Sequence, residues 1–201
     1  AMDRALPEEG TIHMEVRLTL EPVREQITPR IRICLLIGEE RLYVVKSIPQ
    51  MIDAIDTQTP VEYGKGFVFH PEWMRFGTVQ ERILKILRAL CLAQKEAGAL
   101  LRGAEQRDLA LPEPFAEEIL RELMNTPFRL KVGEKTVAVK PVRARKIPLQ
   151  FRVSSDLHGL TGVAMFPKEF RPLLPSCSFA LVGENVVAVE EQQRGVLRVL
   201  Y

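Results

Sequence analysis

Three stretches of the chain follow one plan, in which a β-branched run, a Gly-Glu pair and a second β-branched run succeed each other. They are Ile31 to Ile37 with Gly38-Glu39 and Glu40 to Val45, Phe128 to Val132 with Gly133-Glu134 and Lys135 to Val139, and Phe179 to Val182 with Gly183-Glu184 and Asn185 to Val189. Glycine reaches the positive φ that a tight reversal needs, and Val, Ile and Phe suit a pleated surface. Each stretch therefore predicts an antiparallel β-hairpin, and together they exclude an all-helical fold. Similar hairpins also arise independently, because a Gly-Glu turn reverses any strand efficiently, so the plan does not by itself establish an internal repeat. With 201 residues and 46% hydrophobic content, the chain has apolar surface for one sizeable core or two modest lobes.

The spacing of apolar residues changes between the first two hairpins. Met14 to Leu20 alternates as a half-buried strand does. After Ser47, however, Ile48, Met51, Ile52 and Ile55 recur at helical spacing with Pro49 in the first turn, which predicts a short helix of about two turns. Thr78-Val-Gln-Glu81 reads as a capping box opening the longest helix, with Ile83, Leu84, Ile86, Leu87, Leu90, Cys91 and Ala97 on its apolar side. A polar stretch from Arg102 to Asp108 separates it from a second helix carrying Phe115, Ile119, Leu120, Leu123 and Met124, closed by Asn125 and Pro127. Beyond residue 127 the pattern is strand and turn. Leu149 to Val153 alternates, Leu160 to Phe166 is apolar, Pro167 to Pro175 reads as a connection that cannot continue a sheet, and Val196 to Tyr201 still reads as strand. The expected class is α+β, mainly antiparallel hairpins with an inserted helical hairpin. Its expected parts are a hairpin-plus-short-helix lobe at 10–77, the helical hairpin at 78–125 and a β-rich lobe at 126–201.

Several chemistries lack the residues they need. Cys34, Cys91 and Cys177 are far apart and flanked by apolar residues, which fits buried reduced thiols rather than zinc ligands or disulfides. Gly64-Lys65-Gly66 lacks the upstream Gly and the Ser or Thr of a phosphate loop, and a strand rather than a helix follows it. Ser154, Asp156 and His158 invite a catalytic-triad reading, but neighbours on one tight turn are better explained as an ordinary loop. Trp73, Phe67, Phe69 and Phe76 are expected to pack against the long helix rather than to stack on bases. No signal-peptide segment or apolar run of membrane-spanning length is evident, so a cytoplasmic location is expected. The net charge is +2, yet residues 135–155 carry six Lys or Arg and no acid. Lys140, Arg143, Arg145, Lys146 and Arg152 are the candidate nucleic-acid-binding residues of this segment, since a row of cations holds a phosphate backbone. A solvated or internally paired basic face is the competing reading.

The block from Tyr43 to Phe76 adds a family resemblance. Val45-Lys46-Ser47-Ile48 with Ile52 and Ile55, the Glu62-Tyr63-Gly64-Lys65 turn, Phe67-Val68-Phe69-His70-Pro71, and Arg75-Phe76 resemble the helicase-associated domain of bacterial SWI/SNF-type ATPases. That resemblance implies β-rich segments around a helical insertion, in a non-catalytic accessory domain preceding a DNA-dependent ATPase core on a longer polypeptide. It implies no cofactor here, with ATP and Mg belonging to the parent motor, and no ATPase residue carries over to any position. The partners it implies are the ATPase core of the same polypeptide and DNA or RNA, without a membrane or a small-molecule substrate. Two roles follow as expectations: contact with DNA or a protein–DNA complex, or packing on the ATPase lobes as a protein-interaction or autoregulatory domain.

Overall fold

Period-two alternation sets the first strand, β1 (Ile12–Leu20): Met14, Val16 and Leu18 are buried while His13, Glu15, Arg17 and Thr19 lie on the other face. The computed structural model of the protein describes residues 12–20, 29–37, 41–63, 67–97, 107–124, 126, 128–132, 135–142, 147–148, 150–167 and 169–200. β2 (Arg30–Ile37) and β3 (Arg41–Val44) form the first predicted hairpin. β7 (Phe128–Val132) with β8 (Lys135–Val142), and β12 (Phe179–Val182) with β13 (Asn185–Ala188), form the other two. In the last of these, Gly183 has φ +61, the left-handed conformation predicted for the turn.

What joins the hairpins is not antiparallel. β1 pairs with β2 antiparallel but with β7 in parallel, and β13 pairs with β8 in parallel. The resulting order is β11-β12-β13-β8-β7-β1-β2-β3, where β11 (Phe170–Pro172) is an edge strand and β6 (Asp108–Ala110) pairs with β2 beside β3. β11 corrects the expectation that Pro167 to Pro175 leaves the sheet. Pro172 cannot donate a ladder hydrogen bond, but an edge strand has one side that needs none.

Three helices cover the inner face. α1 (Ile48–Thr57) begins at Ser47, whose hydroxyl accepts from the Gln50 amide, and it runs ten residues rather than the expected two turns. α2 (Thr78–Glu96) begins one residue earlier than its capping box suggested. Gly77 is the N-cap, and the Gln80 side-chain Oε1 rather than Glu81 accepts from its backbone N–H. The Gln80 side-chain Nε2 also donates to the Met14 carbonyl at 2.9 Å, fixing the start of α2 to β1. α3 (Glu113–Leu123) packs back along α2, with Arg82 reaching Glu122 at 3.3 Å, and Arg88 binds Asp56 of α1 at 2.6 Å. One continuous cluster holds Leu18, Ile33 and Leu130 of the sheet together with Met51, Leu87, Leu90 and Ile119 of the helices. Ala97, expected on the apolar side of α2, is exposed at its C-cap.

The block that carries the resemblance is a packing joint. β4 (Val61–Glu62) pairs with β5 (Val68–Phe69), a second small sheet, and a single 3-10 turn follows at Pro71–Trp73. Phe69 is fully buried, Phe67 stacks on Tyr43 at 4.3 Å, and Trp73 and Phe76 pack against the main cluster. The aromatic group is therefore core, as expected from its spacing. Gly64, Lys65 and Gly66 lie outside the described residues.

The chain's last element corrects another expectation. Val196 to Leu200 belongs to α4 (Glu191–Leu200), not to a strand. Four apolar residues around Arg198 are too few to distinguish the two periods, and here Glu191-Gln-Gln-Arg, good helix formers, decide the conformation and turn Leu197 inward. Leu197 joins Ile147, Phe170, Cys177, Ala180 and Val189 in a smaller second cluster.

Leu87 is fully buried between sheet and helices whereas Leu92 on the same helix is 58% exposed. Leu87→Ala should lose about 2–5 kcal/mol of unfolding free energy and Leu92→Ala less than about 0.5. Urea titration of the two variants measures the contrast.

Candidate nucleic-acid interface

The sequence placed its candidate cations along one segment, but the fold assembles a basic surface elsewhere. Side chains paired across neighbouring strands share a face. Arg17 of β1 stands between Arg32 of β2 and Arg129 of β7, and one step along, Thr19 stands between Arg30 and Lys131. This is the outer face of the sheet, opposite the one the helices cover, and Arg30, Arg129 and Lys131 are exposed on it.

Like charges placed side by side repel, so the rows need acids. The Glu15 carboxylate accepts from Arg17 Nε at 2.7 Å and lies 3.7 Å from Arg129 Nε. Asp108 of β6 takes Arg32 in a two-point fork at 2.7 and 2.6 Å, which raises the guanidinium above its ordinary pKa. Five cations thus face two carboxylates, and Arg30 and Lys131 have no ion pair among the described residues. Cys34 is fully buried beneath this group. Burial pushes its thiol pKa up, outweighing the pull of Arg17, so the sulfur stays neutral.

Of the cations the sequence singled out, Lys140 lies on β8 where its backbone pairs with Asn185. Arg152 is exposed on β9 (Gln150–Asp156), while Arg143, Arg145 and Lys146 lie outside the described residues. β9 pairs with β10 (Gly159–Met165) as a two-stranded arm that joins neither of the other sheets among the described residues. Its root is held by the second cluster. The Gln193 side chain both accepts from the Ile147 N–H at 3.0 Å and donates to the Ile147 carbonyl at 2.8 Å, imitating a strand partner, and Phe166 stacks on Phe170 at 5.1 Å.

That cluster is in turn tied to the helices. Glu113 accepts from the Ser176 amide at 2.6 Å and Glu117 from the Ser176 hydroxyl at 2.8 Å. Hydrogen bonding by Ser178, then by Ser176, holds the Glu117 carboxyl below the ordinary glutamate value against the opposing effect of burial. A lowered folded pKa means this tie is fully present above the ordinary glutamate value and weakens as pH falls through the folded one.

The Ser154, Asp156 and His158 neighbours are not assembled as a triad. Asp156 accepts from the His158 backbone N–H at 2.8 Å, Ser154 Oγ lies 3.5 Å from the Thr161 carbonyl, and all three are exposed. No group of three His, Cys, Asp or Glu among the described residues is placed to hold a metal ion, and no described helix is long and apolar enough to cross a membrane.

The basic face escaped the sequence reading because its rows join residues more than a hundred positions apart, through a parallel pairing that no local pattern announces. The one local signal was the polar phase of β1 and β7, which both alternate with Arg outward. The chain matches no family model, no curated protein and no solved structure.

Replacing Glu15 by Gln leaves Arg17 beside Arg32 and Arg129 with one fewer acid. The expected loss is about 1 kcal/mol at low salt, shrinking as salt screens the arginines. Denaturation of the wild type and Glu15→Gln at two ionic strengths checks both the size and the trend.

Proposed function

We propose that this chain is a non-catalytic accessory domain of a bacterial SWI/SNF-type DNA-dependent ATPase, acting in the cytoplasm and contributing direct contact with DNA. The observation that carries the DNA contact is the two-row basic face of Arg17, Arg32, Arg129, Arg30 and Lys131. Guanidinium groups spaced across neighbouring strands suit successive phosphates, and Arg offers each a two-point fork. The acid-free segment 135–155, running from β8 into the arm, adds Lys140, Arg143, Arg145, Lys146 and Arg152. Such contacts are sequence-independent and sensitive to salt, which fits a domain that holds a substrate while a motor works on it. The family assignment itself rests on the residue block from Val45 to Phe76.

One observation favours packing on the motor instead. α4 buries Leu197 but leaves Val196, Val199 and Leu200 exposed on one side, at 41%, 85% and 39%. An apolar helix side of this kind fits a protein surface better than a phosphate backbone. In that role the domain restrains the ATPase lobes, and its deletion from the parent changes the ATPase rate or its stimulation by DNA.

The DNA reading predicts that affinity for duplex DNA falls steeply with salt. Reversing Arg143, Arg145 and Lys146 together should lower the slope of log affinity against log salt by about 0.9 per lost phosphate contact, and Arg129→Glu with Lys131→Glu should do the same. Fluorescence anisotropy with a labelled duplex over a salt series measures it. Absence of binding at low salt would exclude direct contact and leave the packing role.

A further inference from the structure

We propose that the β9–β10 arm is a self-association element, whose β9 edge pairs antiparallel with β9 of a second copy of this chain. A two-stranded ribbon is marginal alone in water, and this one has no further strand on either edge among the described residues. Natural free edges are commonly guarded by Lys or Pro, and neither β9 nor β10 contains one. The register puts Phe151, Val153, Leu160 and Ala164 on one face of the arm, and Phe151, Val153 and Leu160 are 58%, 65% and 79% exposed. Leu157 at the tip is wholly exposed.

The sequence of β9 selects the occupant of that edge. Antiparallel pairing about a two-fold axis at Ser154 sets Arg152 of each copy opposite Asp156 of the other, two complementary pairs on one face. On the opposite face the same register brings Phe151 to Leu157 of the second copy, joining two of the arm's exposed apolar residues. Among the described residues Arg152 has no ion pair and the only hydrogen bond to the Asp156 carboxylate comes from the His158 backbone. β10 carries no charge, so its edge offers no comparable complementarity. Edge pairing of one short strand buries less than a stable interface, so the dimer is weak and depends on concentration.

Sedimentation velocity over a concentration series, from micromolar to millimolar, tests this with charge swaps. The wild type should shift from monomer to dimer. Arg152→Asp alone sets Asp against Asp, and Asp156→Arg alone sets Arg against Arg, so each variant should remain monomeric. Mixing the two variants in equal amounts recreates two Arg-Asp pairs between unlike chains, and the dimer should return, as it should in the double variant R152D/D156R. Unchanged thermal unfolding of each variant confirms that the exposed arm's root is intact. A wild type that stays monomeric throughout, single variants that dimerise like the wild type, or a mixture that stays monomeric would each overturn the proposal. DNA binding reads separately: Asp156→Arg breaks the dimer while adding a cation, so loss of phosphate contact and loss of pairing are not confused.

Discussion

The double pairing of β1 is the constraint on which the rest of the structure depends. β1 holds β2 on one edge and β7 on the other, and so ties the first hairpin to the second across the helical insertion. Its inward side chains, Met14, Val16 and Leu18, meet the helices, and the Met14 carbonyl receives the side chain that positions α2. Its outward side chains place Arg17 between Arg32 and Arg129, so the register that builds the core also gathers positive charge on the opposite face. A one-residue slip of β1 would exchange these two sets and cost both the core and the basic surface.

The hairpins were legible in the sequence because their information is local: a β-branched run, a Gly-Glu turn, another run. Helices α1, α2 and α3 were equally so, apart from their ends, where Gly77 rather than Thr78 caps α2 through Gln80. Two features were hidden for physical reasons. Parallel pairing of β1 with β7 depends on residues brought together only by folding, and the short β6, seated by the Arg32–Asp108 fork, has no period long enough to read. The run after Gly195 misled because five residues are too few to separate the two periods, and the tie-breaking Gln and Glu lie upstream.

The candidate site divides in the same way. Composition alone exposed the acid-free stretch from 135 to 155, since net charge along a chain needs no fold. It could not reveal Arg17, Arg30, Arg32, Arg129 and Lys131 as one surface, because in sequence they are scattered among acids. Glu15 and Asp108 make the packed arginines tolerable during folding, and under the proposed DNA contact they are the groups with which an incoming phosphate would compete. Arg30 and Lys131, without ion pairs among the described residues, are the places where a phosphate would meet least competition.

The outer face of the sheet, together with the basic segment, is the surface proposed to receive DNA. Lysine acylation footprinting, read by mass spectrometry with and without duplex DNA at low salt, tests it most directly. Lys131 and Lys146 should lose reactivity several-fold in the complex, while Lys85 and Lys95, exposed on α2 at the opposite side of the sheet, keep theirs. Protection of Lys85 and Lys95 with Lys131 left reactive would place DNA on the helical side and contradict the account.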